Sequence, residues 1–280
     1  MSFPLRRPAS LLCLSVALAL SSCASPPTRP ATAVEATVTT RAVGYLADHA
    51  VPASLDLVPP PPVAGSAGFT LDEQVSREAR ALRGTARFTQ ATRDAELAFP
   101  VGASQFSCAI DLDVDAQRTP ALYRLLERSR IDASAATRAA KKHHQRPRPF
   151  MVNNEPICTP DDEEGLRKNG SYPSGHTSIG WAWALILAEI APDRADAIIA
   201  RGRNYGESRL VCNVHWQSDI LEGRFMGAAA VARLHDNAAF QTDLLKARKE
   251  IAAARKAGQH ASRDCAAEEA VLKVRPASAL

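Results

Sequence analysis

Three short stretches carry side chains suited to handling a small anion. The first, KKHHQRPRPF, holds Lys141 and, after six intervening residues, Arg148-Pro149. The second, Pro173-Ser174-Gly175-His176, stands just ahead of an apolar run from Ile179 to Ile190. Ser174 is a good N-cap, and Gly175 lets backbone approach a ligand with no Cβ in the way. Free N–H groups at a helix N-terminus, with the dipole behind them, attract negative charge. The third, SRLVCNVHWQSD, holds Ser208-Arg209, then His215 after five residues and Asp219 after three more. His215 and Asp219 stand at i and i+4, one face of a helix, where a carboxylate fixes an imidazole tautomer and stabilises its cation. A capped helix alone is no site, because most such helices bind nothing. Cations, a cap and a His–Asp pair together point to a single anion site.

In this order and spacing the stretches resemble the signature of the type 2 phosphatidic acid phosphatase and vanadium haloperoxidase superfamily. That signature is Lys-x6-Arg-Pro, Pro-Ser-Gly-His and Ser-Arg-x5-His-x3-Asp, and every specified position is matched. GSYPSGHT further resembles the class A bacterial non-specific acid phosphatases, and the similarity spans most of residues 40 to 257. The resemblance implies a metal-independent acid phosphatase that hydrolyses phosphomonoesters through a phosphohistidine, with phosphotransfer to alcohols as a side activity. It implies His215 as nucleophile, Asp219 as the group orienting its ring, and His176 as the acid that protonates the leaving oxygen. Lys141, Arg148, Arg209, Ser174 and the backbone N–H groups of Gly175 and His176 would hold the phosphoryl oxygens. Such a set suits phosphoryl transfer, where catalysis is chiefly positioning and charge stabilisation. A neutral nucleophile and a protonated acid need two histidines in different environments, which predicts faster turnover in mildly acidic solution.

Other readings share some of these residues. A lipid phosphate phosphatase has the same motifs, usually among membrane spans. No stretch after the N-terminus reaches the roughly 20 apolar residues of a span. A vanadium haloperoxidase shares them too, but no long insertions argue for it. A lipoprotein that binds phosphate without turnover would release no product. No metal or other cofactor is expected. His143 and His144 could be set beside His176 and His215 as ligands, but adjacent helical residues diverge by about 100° and rarely serve one ion. They are read as structural, with one of them able to line the site. Tyr172 has two readings, a contact for the leaving group at the entrance or packing beneath the turn. Trp181 and Trp183 are expected in the core.

The elements that must position these residues read as helices, so the expected fold is a single all-α domain, a helical bundle of the acid phosphatase and haloperoxidase type. Thr70-Leu71-Asp72-Glu73 fits a capping box opening a helix through Leu82. Thr119-Pro120 opens another running towards Lys142, and Thr159-Pro160-Asp161-Asp162 has the same opening signature. Further helices are expected over 177–190, 194–201, 216–234 and 240–257. SRLVCNVHW is the one run that suggests a strand. Four consecutive prolines, Pro59 to Pro62, exclude helix there and predict an extended segment.

With 280 residues, 46% hydrophobic and 23% charged, the chain can bury a full core. Arg6 and Arg7, an apolar stretch from Leu11 to Leu20 and the small residues after it make an export signal. Leu20-Ser21-Ser22-Cys23 resembles a bacterial lipobox, with Cys23 lipidated; ordinary cleavage after Ala24 is the alternative. The expected organisation is a signal peptide over 1–22, a flexible tether over 23–40, the phosphatase domain over 41–257 and a C-terminal tail over 258–280. Either processing route places the protein outside the cytoplasm, in the periplasm or anchored to the outer membrane facing it. The formal charge of +4 falls to +2 once the first 22 residues leave with two arginines and no acid, too balanced for a nucleic-acid binder. Expected partners are therefore a phosphomonoester substrate, no nucleic acid, a membrane only through the lipid, and a second copy in a homo-oligomer.

Cys108, Cys158, Cys212 and Cys265 remain for disulfides in an oxidising compartment, and sequence permits three pairings. If the motifs converge on one phosphate, Cys212 lies near it and Cys158 can fold back from Arg148. That favours Cys158 with Cys212 and leaves Cys108 with Cys265.

Overall fold

The computed structural model describes residues 42–280; the expected signal peptide, the tether and Cys23 lie outside the described residues. Among the described residues there is no β-strand, and helices carry the fold. The principal ones are α1 (Ala67–Arg80), α2 (Ala86–Asp94), α3 (Pro120–Ala135), α4 (Arg138–His144), α5 (Gly175–Ile190), α6 (Ala195–Val211), α7 (Gln217–Leu234), α8 (Ala238–Lys256) and α9 (Cys265–Leu272).

The apolar run of the second motif becomes α5, the centre of the bundle, packed by α3, α6 and α7. A helix apolar on every side belongs in the interior, and Ile179, Trp183, Ile186, Leu187 and Ile190 are all buried. Trp183 donates its indole N–H to the Leu126 carbonyl of α3 at 2.9 Å, so its polar atom is satisfied inside the core. Two glycines let neighbouring helices reach the start of α5. A Cβ at Gly223 of α7 would lie 2.6 Å from the Ser174 carbonyl oxygen, and one at Gly206 of α6 would lie 2.7 Å from Thr177 Cγ2. Any side chain there would push the helices apart.

Several element ends differ from expectation. α1 starts one turn earlier than Thr70: Ser66 is the cap, its hydroxyl accepting from Phe69 N–H at 3.2 Å, while the Thr70 hydroxyl only donates back to the Ser66 carbonyl. The helix from Pro120 does not run through to Lys142 but breaks at Ala136 and Thr137. Hydroxyls take its last carbonyls, Ser178 that of Ala133 at 2.7 Å and Thr137 that of Ser134 at 3.0 Å, so the ladder does not continue. Thr119 makes no side-chain cap; the Glu250 carboxylate of α8 accepts from Ala121 and Leu122 N–H instead.

SRLVCNVHW is the end of α6 and a turn. Asn213 adopts φ 62°, its N–H donates to the Leu210 carbonyl, and Val214 N–H donates to the Arg209 carbonyl, a Schellman ending. The residues from 258 on, expected as a tail, include α9, which is bridged to the core by Cys108–Cys265 with Cα atoms 5.2 Å apart.

Candidate active site

The Ser174 turn, the end of α4 and the loop between α6 and α7 meet around a cavity of 370 Å³. Lys141, Arg148, Gly175, His176, Arg209 and His215 all line it. Ser174 caps α5, its hydroxyl accepting from Thr177 N–H at 3.2 Å, and it does not line the cavity. Its own N–H donates to the Asp219 carbonyl at 2.8 Å, which joins the second motif to the third.

His215 and Asp219 meet across a helix start rather than along a helix face, because α7 begins at Gln217. Asp219 Oδ2 accepts the Trp216 backbone N–H at 2.8 Å and lies 3.2 Å from His215 Nδ1. On the other side of the ring, Arg148 Nη1 stands 3.2 Å from Nε2. Arginine only donates, so Nε2 must carry the lone pair and Nδ1 the proton, which goes to Asp219. Burial, then Arg148, Lys141 and Arg209, hold the His215 ring well below its ordinary pKa, hence neutral.

His176 is the mirror case. Its Nε2 lies 2.9 Å from the Asp94 carbonyl oxygen, which only accepts, so the proton sits on Nε2 and Nδ1 remains for chemistry. The ring stacks on Tyr205 at 5.5 Å. Burial and Arg209 push its pKa well down, against the Asp94 hydrogen bond.

The cations are held by neutral oxygens or by nothing. Lys141 Nζ donates to the carbonyls of Gly170 at 2.9 Å and Ser171 at 3.2 Å, and burial with Arg148 nearby lowers its pKa to about 7. Arg148 donates to the carbonyls of Leu166, Asn169 and Val214, at 2.9 to 3.1 Å. Burial brings its pKa down to about 10. Arg209 is 4% exposed, yet its Nε and Nη1 have no partner among the described residues. Buried unpartnered guanidinium donors are costly unless a ligand takes them.

Behind His215 lies a network that sequence reasoning missed. Arg146 donates to Asp219 Oδ1 and to Asp72 Oδ2, each at 2.7 Å, and to the Ser218 hydroxyl at 2.8 Å. Asp72 also accepts Ser218 N–H at 2.8 Å and its hydroxyl at 2.7 Å. In sequence Asp72 looks like a capping acid and Arg146 like one more charge in a basic run. The only available signal was an arginine two residues before Arg148 with no acid at helical spacing. Ser208, part of the third motif, donates to Asp94 at 2.6 Å and accepts from Arg87 at 3.0 Å, fastening α6 to α2 behind Arg209.

Tyr172 takes the packing role and not the entrance. It is 1% exposed, and its hydroxyl donates to the Pro59 carbonyl at 2.7 Å, pinning the proline segment to the domain. His143 and His144 do not line the cavity; His144 packs edge-on against Tyr172 at 5.5 Å. Trp216 donates its indole N–H to the Pro147 carbonyl at 2.8 Å, bracing the first motif against the third. Cys158 and Cys212 are bridged, Cα atoms 4.7 Å apart, tying the segment after Arg148 to the one after Arg209. Among the described residues no three His, Cys, Asp or Glu side chains gather as a metal site would, and no helix is long and apolar enough to cross a membrane.

The all-α bundle thus brings three cations, a helix N-terminus and two oppositely protonated imidazoles to one cavity. Residues 130–241 match the PAP2 superfamily. The chain is 44% identical over 213 residues to a non-specific acid phosphatase of Providencia stuartii, covering 76% of this chain and 86% of that protein. It is 43% identical to an acid phosphatase of Zymomonas mobilis over 70% of this chain and 74% of that one, and 40% identical to a non-specific acid phosphatase of Salmonella typhimurium over 69% and 78%. The chain belongs to the PAP2 superfamily, together with these bacterial acid phosphatases.

Proposed function

We propose that the protein is an acid phosphatase that hydrolyses phosphomonoesters through a phosphohistidine at His215. The observation that carries this is the His215 ring, fixed with its lone pair at Nε2 beside the Arg148 guanidinium while Nδ1–H is held by Asp219. The Nε2 lone pair forms the P–N bond as the ester P–O bond breaks. His176, protonated at Nδ1 in mildly acidic solution, gives that proton to the leaving alcohol oxygen. Water then attacks phosphorus, yields its proton to Nδ1 of His176, and the P–N bond breaks to release phosphate. Lys141, Arg148, Arg209 and the N–H groups of Gly175 and His176 take the equatorial oxygens, where charge accumulates. An alcohol in place of water gives phosphotransfer. Arg146 and Asp72 act through Asp219 as positioning residues.

The pH dependence follows from two groups. His176 has a depressed pKa in the empty site, so its proton is present only at low pH, and the arriving phosphate dianion raises it. Lys141 is cationic below about 7 and loses its charge above it. Both favour turnover in acid. Hydrolysis of p-nitrophenyl phosphate with and without EDTA tests the proposal. Turnover is expected to survive the chelator, and an acid-labile phosphoprotein should be trapped in wild type and absent in His215→Ala. A protein without turnover, or one silenced by EDTA, is not this enzyme.

We also propose export, from the basic, apolar and small-residue order of the first 24 residues and from two disulfides of the kind oxidising compartments maintain. The mass of the mature N-terminus separates an acylated Cys23 from a chain beginning at Ser25.

A further inference from the structure

One wall of the cavity carries charge that the reaction above leaves unused. Ser134 at the end of α3, Thr137 in the break, Arg138, Lys141 and Lys142 of α4 and Gln145 just after it line it. Lys141 is turned inward onto the Gly170 and Ser171 carbonyls, while Arg138 and Lys142 stay exposed at the mouth. Among the described residues neither Arg138 nor Lys142 is paired with a carboxylate, and no carboxylate lines the cavity. The lining that remains outside the phosphoryl cradle is Leu97, Leu166, Asn169 and Ile179.

A bound phosphomonoester places its leaving alcohol in this outer part of the cavity. A neutral alcohol gains nothing there from two unpaired cations. An alcohol bearing its own negative charge gains Coulomb attraction in a concave site that no carboxylate lines. We infer that Arg138 and Lys142 form a second anion subsite, so that the enzyme prefers phosphomonoesters whose leaving alcohol carries a carboxylate or a second phosphate over neutral alcohols of similar shape. The inference rests on the phosphatase function proposed above.

The test compares kcat/KM for 3-phosphoglycerate and glycerol 3-phosphate, which differ by a carboxylate in place of a hydroxymethyl group. Propanediol bisphosphate against hydroxypropyl phosphate is the second-phosphate arm. In wild-type protein at low salt each anionic substrate should lead by about tenfold, and the lead should shrink as salt is raised. Arg138→Gln/Lys142→Gln, exposed helix positions given a good helix former, should bring both ratios close to one. Because each ratio is taken within one protein, a general loss of phosphoryl binding cancels. Wild-type ratios at or below one, or ratios that the double substitution leaves unchanged, overturn the subsite while p-nitrophenyl phosphate turnover keeps the phosphatase. A wild-type protein that does not hydrolyse p-nitrophenyl phosphate overturns both.

Discussion

The two sides of the His215 ring are built on opposite principles. Behind the ring, every charged group has a charged partner: Arg146 is shared between the carboxylates of Asp72 and Asp219, and Ser218 closes the group. In front, Lys141 and Arg148 are held by backbone carbonyls, and two Arg209 nitrogens have no partner at all among the described residues. Arg146 and Arg148 are two residues apart in the same motif, yet one is neutralised and the other keeps its charge. Neutral oxygens fix a guanidinium in place without cancelling it. Carboxylates thus fasten the side on which the proposed nucleophile is held, and none lines the cavity in which phosphate is proposed to bind.

The sharpest test of this contrast is the residue between the two sides. His215→Ala should lower kcat with p-nitrophenyl phosphate by at least ~10⁴-fold with little change in Tm, as removal of a nucleophile does elsewhere. Arg146→Met should behave as a break in the rear network, leaving Asp72 and Asp219 as uncompensated buried acids. A loss of about 3–5 kcal/mol in denaturant unfolding is expected, with part of it restored by adding Asp72→Asn. Arg209→Met should do the reverse. It removes an unpaired buried charge, so Tm should hold or rise while kcat/KM falls about 10²–10³-fold. If both arginine variants lose stability equally, the distinction between the two sides is wrong. The smallest effect concerns Lys141, whose pKa is held at about 7. KM should rise severalfold as pH passes upward through that value, and Lys141→Met should show a higher KM with that rise removed.

Much of the front side was legible in the chain. Lys141, Arg148, His176 and Arg209 sit at motif spacings, and so do His215 and, behind its ring, Asp219. The rest of the rear side was not legible, since Asp72 is 74 residues from Arg146 and 147 from Asp219, and no local pattern records such a meeting. Ser174 and Tyr172 show the same limit at closer range. One has its oxygen engaged in capping α5, and the other has its hydroxyl on Pro59. The break at Ala136 and Thr137 also escaped, because it is made partly by Ser178 of a different helix.

By itself the sequence determined the helical class and the buried α5, because periodicity and capping are properties of short segments, and its motifs named most of the side chains that line the cavity. Only tertiary structure decided which cations keep their charge. That depends on whether a carbonyl, a carboxylate or open cavity stands beside each one, and those neighbours come from distant parts of the chain.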